Sequence, residues 1–171
     1  LLVVGGSLGA RALNEIVPQA LALIPAAQRP VVTHQSGASQ IDALRANYEA
    51  AGVQADCTPF IEDTATAFAD ADIIVCRAGA STVTEIAAVG AAAIFVPFPS
   101  AVDDHQTTNA KFLVDAGGGW LVQQRDLTPE GLSQMLLKLE RPALVDIALK
   151  AKNMQKINAT REVVTACEEL A

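Results

Sequence analysis

The chain reads as an α/β domain: a doubly wound, parallel sheet of about six strands with a helical C-terminal tail. Short, continuously apolar runs rich in valine and isoleucine alternate with helical patterns along the whole chain. That is the signature of a sheet covered on both faces rather than an antiparallel sandwich. Glycines punctuate the joins, at Gly5–Gly9, Gly52, Gly79 and Gly90. The 171 residues are 51% hydrophobic yet only 4% aromatic, the balance expected of alanine-rich helices packed on aliphatic strands. This length suits one domain with a substantial core, and residues 1–171 read as a single unit without repeat or linker.

The elements follow in order. Leu1–Val4 is a strand and Gly5–Gly9 a glycine turn; Ala10–Ile24 is a helix, bent near Pro18, which has no N–H. Val31–His34 is the second strand, and Gln40–Ala51 a helix ended by Gly52. Cys57–Phe60 is a third strand, followed by a short helix over Asp63–Ala69. Ile73–Cys76 is a buried strand that feeds a helix over Thr82–Val89, stopped at Gly90. Ala93–Val96 is the fifth strand, Gln106–Asp115 a helix closed by Gly117-Gly118-Gly119, and Trp120–Val122 a short edge strand. The tail is helical over Pro129–Leu139, Ala143–Lys152 and Thr160–Leu170. This is a Rossmann-like arrangement, in which ligands bind where strands end and helices begin.

Charge and cysteine content narrow the function. The formal net charge is −7 and no basic block exists, which argues against a nucleic-acid binder. No apolar run approaches the ~18 residues needed to span a bilayer, and there is no basic-then-apolar leader. The chain opens inside a strand without an initiator Met, as part of something longer would. Cys57, Cys76 and Cys167 are widely separated and lack C-x-x-C spacing, so they read as reduced thiols in a cytosolic setting.

Two segments carry the candidate chemistry. The first is Cys76-Arg77-Ala78-Gly79-Ala80-Ser81-Thr82-Val83-Thr84-Glu85, the second Asp103-Asp104-His105-Gln106-Thr107-Thr108-Asn109. Thr82-Val83-Thr84-Glu85 matches the capping box S/T-x-x-E, which needs no ligand. Its functional reading is that Glu85 accepts hydrogen bonds from both ribose hydroxyls while Ala80, Ser81 and Thr82 offer donors to phosphate. Gln106 and Asn109, three apart, share a helix face and suit sugar hydroxyls; His105 has no visible carboxylate to orient it as a base. Gly5, Gly6, Ser7 and Gly9 form a turn that lets backbone N–H groups approach an anion, although a tight strand–helix turn wants glycine anyway.

That turn is not G-x-G-x-x-G, and the second strand ends His34-Gln35-Ser36 with no acid for a ribose, which disfavours NAD. The Lys-Ser/Thr of a P-loop is absent too. Asp70-Ala71-Asp72 matches D-x-D literally but precedes a strand, at the wrong edge, and no other cluster has metal-ligand spacing. Arg77 is open between packing and a phosphate contact.

Gly5-Gly6-Ser7-x-Gly9-Ala10-Arg11 with Asn14, Phe60-Ile61-Glu62-Asp63, Cys76-Arg77-x-Gly79-Ala80-x-Thr82-x-x-Glu85, Phe95-Val96-Pro97-Phe98 and Gln106-x-x-Asn109-Ala110 occur in that order. Together they resemble the C-terminal, donor-binding half of the MurG glycosyltransferases, over nearly the whole chain. The resemblance implies one half of a two-domain GT-B fold, with the N-terminal acceptor domain absent from this chain. It implies inverting transfer of GlcNAc from UDP-GlcNAc to lipid I, making lipid II for peptidoglycan, at the cytoplasmic side of the bacterial inner membrane. Membrane and acceptor contacts would run through the missing domain, and the chain itself would be soluble.

Carried over residue by residue, Ser7 would meet the diphosphate, Ile61 uracil through its backbone, and Ala80, Ser81 and Thr82 the phosphates. Glu85 would bind ribose, and His105, Gln106 and Asn109 the GlcNAc hydroxyls. No catalytic base, cofactor or metal is implied in this half. A UDP-sugar epimerase sharing the architecture, or a non-catalytic nucleotide-binding module, are the alternatives.

Overall fold

The computed structural model describes residues 1–6, 10–99 and 104–170. Its strands are short: β1 (Leu2–Val4), β2 (Thr33–Gln35), β3 (Asp56–Thr58), β4 (Ile74–Cys76), β5 (Ala93–Phe95) and β6 (Trp120–Leu121). All pair in parallel, in the order β3-β2-β1-β4-β5-β6. The helices are α1 (Arg11–Ala22), α2 (Ile41–Ala51), α3 (Thr64–Ala69), α4 (Ala80–Val89), α5 (His105–Val114), α6 (Pro129–Lys138), α7 (Arg141–Asn153) and α8 (Ala159–Glu169).

Side chains alternate across a strand, so each apolar run serves two cores. Val3, Val75 and Ile94 join Leu13, Val17 and Leu21 of α1, Leu44 of α2 and Leu132 of α6 on one face. Leu2, Ile74, Cys76 and Phe95 meet Phe68 of α3, Val83 and Ile86 of α4 and Leu113 of α5 on the other. The doubly wound sheet expected from the apolar runs is therefore present, with helices on both faces.

Boundaries shift where hydrogen bonding decides them. The second strand begins at Thr33 rather than Val31, because its register opposes Thr33 to Leu2, near the start of β1. Val31 is 91% exposed, and its carbonyl accepts instead from the Leu1 amino group (2.9 Å). The third strand stops at Thr58: Pro59 has no N–H for the ladder, and the Thr58 hydroxyl donates to the Phe60 carbonyl (2.8 Å) to close a turn. Pro18 stays inside α1. It cannot donate to the Asn14 carbonyl one turn back, and Asn47 Nδ2 of α2 supplies that bond instead (2.9 Å).

Gly119 is fixed by close approach. A Cβ there would lie 2.7 Å from the Ala93 carbonyl oxygen and 3.0 Å from the Phe95 ring. Gly119→Ala must push β6 away from β5, and overpacking of this kind typically costs about 1–3 kcal/mol. A lowered denaturant midpoint in chemical unfolding checks it.

Because all strands are parallel, their C-terminal ends share one edge. The chain order reverses between β1 and β4, which makes the loops after these two strands the expected crevice.

Candidate functional site

At that crevice Gly6, Gln35, Phe60, Ile61, Thr82 and Glu85 line a cleft of about 160 Å³. The structure thus brings together four residues singled out from sequence: Gly6 after β1, Ile61 after β3, and Thr82 and Glu85 on one face of α4. A larger concavity, about 710 Å³ between Arg29–Val32 and Gly52–Asp56, lies at the other end of the strands.

The capping-box reading of Glu85 is corrected. Helix α4 begins at Ala80, its N-cap is Gly79, and no side chain caps it. Glu85 is therefore more than a turn inside the helix, too far along to reach back to the N-cap N–H. It is exposed, and its carboxylate has no hydrogen bond or ion pair among the described residues. The first helical bond of α4 runs from Val83 N–H to the Gly79 carbonyl (3.0 Å). Among the described residues the N–H groups of Ala80, Ser81 and Thr82 are thus left as the unpaired donors of a helix start, at the positive end of its dipole.

Helix α5 uses its polar face differently from expectation. Gln106 Oε1 accepts from the N–H groups of Ala78 (3.2 Å) and Phe98 (3.0 Å), and Asn109 Nδ2 donates to the Ala78 carbonyl (3.1 Å). These amides pin the loop after β4 to the loop after β5. What remains for a ligand, among the described residues, is Gln106 Nε2 and Asn109 Oδ1, half of each group. His105 is exposed at the first position of α5. Asp104 just before it sits at φ 52°, in the left-handed region rare for a non-glycine residue, and accepts from the Thr107 hydroxyl (2.7 Å).

Arg77 acts on the same loops. Its Nη1 donates to the carbonyls of Val96 (3.1 Å) and Pro97 (3.2 Å), and Nη2 to Gln124 Oε1 (2.6 Å). The guanidinium lies 5.5 Å from the Phe98 ring centroid. Burial lowers its pKa, as expected of a cation held by carbonyls without a carboxylate. The packing reading is the one these contacts favour.

Gln35, which in the sequence marks only the lack of a ribose-binding acid, is buried and its side-chain amide saturated. Its Oε1 accepts from Gly5 and Gly6 N–H (3.1 Å each), and its Nε2 donates to the carbonyls of Gly6 and Pro59 (3.0 Å each). The expectation that Gly5 and Gly6 turn their amides toward an anion is accordingly corrected: both amides face Gln35. Ser7 and Gly9, and Asp103 of the second segment, lie outside the described residues.

Beneath the turn His34 joins α1 to α2. Its Nε2 meets Asn14 Oδ1 (3.0 Å) and its Nδ1 the Tyr48 hydroxyl (2.9 Å). An amide oxygen can only accept, so Nε2 carries the proton, and the Tyr48 O–H donates to Nδ1. Burial drives the His34 pKa down to about 3 and holds the Tyr48 hydroxyl protonated. Asn14 Nδ2 in turn reaches Gln40 Oε1 (2.9 Å) and the Ser36 carbonyl (3.4 Å). The signal for this network was polar residues ending an apolar strand.

The D-x-D segment sits at the opposite edge, with Asp72 paired to Arg141 (2.8 Å). Among the described residues no cluster of His, Cys, Asp or Glu could hold a metal ion, and no helix is long and apolar enough to cross a membrane.

Comparison with known proteins extends the picture. The chain is 80% identical over 170 residues to a Paracidovorax citrulli protein named UDP-N-acetylglucosamine--N-acetylmuramyl-(pentapeptide) pyrophosphoryl-undecaprenol N-acetylglucosamine transferase, covering 99% of this chain and 48% of that one. It superposes on the crystal structure of Acinetobacter baumannii MurG with a TM-score of 0.90 at 48% identity, covering 98% of this chain and 49% of that one. The glycosyltransferase VinC, solved with dTDP, shares the fold at a TM-score of 0.64 and 20% identity, covering 99% of this chain and 41% of that one. The chain spans about half the length of the curated relatives it matches. A family model described as the glycosyltransferase family 28 C-terminal domain matches residues 1–167, and the chain belongs to that family.

Proposed function

We propose that the chain is the donor-nucleotide half of an inverting transferase that moves GlcNAc from UDP-GlcNAc to lipid I, the undecaprenyl-linked acceptor, giving lipid II. The observation that carries the reading is the Glu85 carboxylate, without a partner among the described residues, in one cleft with Ile61 and on the helix whose first amides, of Ala80, Ser81 and Thr82, have none there either. A carboxylate suits a ribose diol, and a helix start suits a diphosphate. The names of the relatives support the sugar and the acceptor.

In the proposed reaction an acceptor hydroxyl oxygen attacks the anomeric carbon from the face opposite UDP. The bond to the diphosphate breaks and its electron pair passes to the leaving oxygen. The α4 amides and dipole stabilise that charge without reorganisation. The hydroxyl proton goes to a base outside the described residues, carried by the acceptor domain, which also makes the membrane contact at the cytoplasmic face. The donor site requires no metal.

Joined to the N-terminal half of the Paracidovorax citrulli relative, the chain should convert lipid I to lipid II from labelled UDP-GlcNAc, with EDTA leaving the rate unchanged. The 171-residue chain alone should form none. Lipid II made by the chain alone, or a folded chimera that binds donor and transfers nothing, contradicts the proposal.

A further inference from the structure

We infer that Gln35 is a positioning residue for the donor nucleotide, coupling the loop that follows β1 to the loop that follows β3; this rests on the proposed nucleotide reading of the crevice. The side-chain amide of Gln35 has two acceptor lone pairs and two donor hydrogens, and all four are engaged by loop backbone. Two partners, Gly5 and Gly6, open the glycine turn after β1. The other loop, held through the Pro59 carbonyl, leads within two residues to Ile61. Gln35 also lines the cleft itself, between Gly6 and Ile61.

The two loops come from strands at non-adjacent positions in the sheet, β1 and β3, with β2 between them. Among the described residues no backbone ladder joins them, and the Gln35 amide reaches both. Gly6 lies at φ 79°, a conformation with several alternatives open to glycine, so its N–H and carbonyl directions are set by what holds them. Removing the amide lets the walls move independently. A ligand that touches both walls must then reorder them on binding, which weakens affinity without a change in the contacts it finally makes.

Gln35→Glu and Gln35→Met separate this from simple packing. Glutamate keeps the shape and both acceptor contacts to Gly5 and Gly6, but as a carboxylate turns an oxygen toward the Gly6 and Pro59 carbonyls. Protonation restores a donor, so its affinity should recover as pH falls, whereas methionine fills the space and restores nothing at any pH. Titration of the 171-residue chain with UDP at pH 8 should show at least tenfold weaker binding for both variants. At pH 6 the Gln35→Glu deficit should shrink at least threefold, relative to wild type, and the Gln35→Met deficit should stay.

Thermal unfolding accompanies each titration. Affinity within twofold of wild type in a folded Gln35→Met or Gln35→Glu chain overturns the inference, as does an equal, pH-independent deficit in both variants. Should methionine prevent folding, the pH response of Gln35→Glu decides alone. Failure of the wild-type chain to bind UDP instead sinks the nucleotide reading of the crevice.

Discussion

Glu85→Ala is expected to weaken UDP-GlcNAc binding by roughly ten- to a hundredfold while leaving the unfolding transition where it was. In the proposed binding mode the variant removes a charged acceptor for two ribose hydroxyls: hydrogen bonds to a charged group are worth about 1.5–3 kcal/mol, and about 1.4 kcal/mol is tenfold in affinity. The unchanged stability follows from the carboxylate's position, exposed inside α4 and without a protein partner among the described residues. Alanine is also the better helix former, so the change should be neutral or slightly stabilising.

A capping residue behaves in the opposite way. Loss of a cap costs about 0.5–2 kcal/mol of stability and does nothing directly to a ligand. Calorimetric titration alongside thermal unfolding of the same variant therefore distinguishes the two roles. Glu85→Gln, which keeps the shape and one acceptor oxygen, should fall between wild type and alanine.

The second large effect concerns His34. Its pKa near 3 in the folded chain, against 6.5 in an unfolded one, means that the folded state binds fewer protons between those values. The contribution of His34 to stability is full above pH 6.5, declines as pH falls through the window and stops declining below about 3. Integrated over the window, this penalty is on the order of 5 kcal/mol. His34→Leu removes the pH term but strands the Tyr48 hydroxyl and Asn14 Oδ1 in the core. Each unsatisfied buried group costs about 1–3 kcal/mol.

Urea unfolding at pH 7.5 and pH 5 provides the check. His34→Leu should be markedly less stable at pH 7.5, yet lose less on acidification than wild type does. Parallel pH curves for the two proteins would show that His34 does not supply the acid sensitivity.

Much of this was legible in the sequence for a physical reason. Valine- and isoleucine-rich runs such as Ile73–Cys76 announce a strand buried on both faces, and the observed strand divides that run between two cores. The crevice was legible because parallel strands put every strand-to-helix loop at one edge. Harder to read were contacts between residues far apart in the chain. Gln35 holds Gly5, thirty residues away, and Pro59, twenty-four away, and no local pattern encodes either.

Gln106 and Asn109 were correctly placed on one face, but periodicity does not say that the face looks onto Ala78. Thr82-Val83-Thr84-Glu85 satisfies a capping pattern that the helix does not use, since Gly79 starts it earlier. That mismatch is informative. Among the described residues the helix start has no side-chain cap and the Glu85 carboxylate no partner, as the proposed donor site requires.

The most direct test is a calorimetric titration of the wild-type chain with UDP-GlcNAc, UDP-GalNAc and NAD under identical conditions. Binding of UDP-GlcNAc in preference to UDP-GalNAc, with no response to NAD, is the predicted result. Binding of NAD, or equal affinity for the two UDP-sugars, would contradict the assignment of this crevice as a GlcNAc donor site.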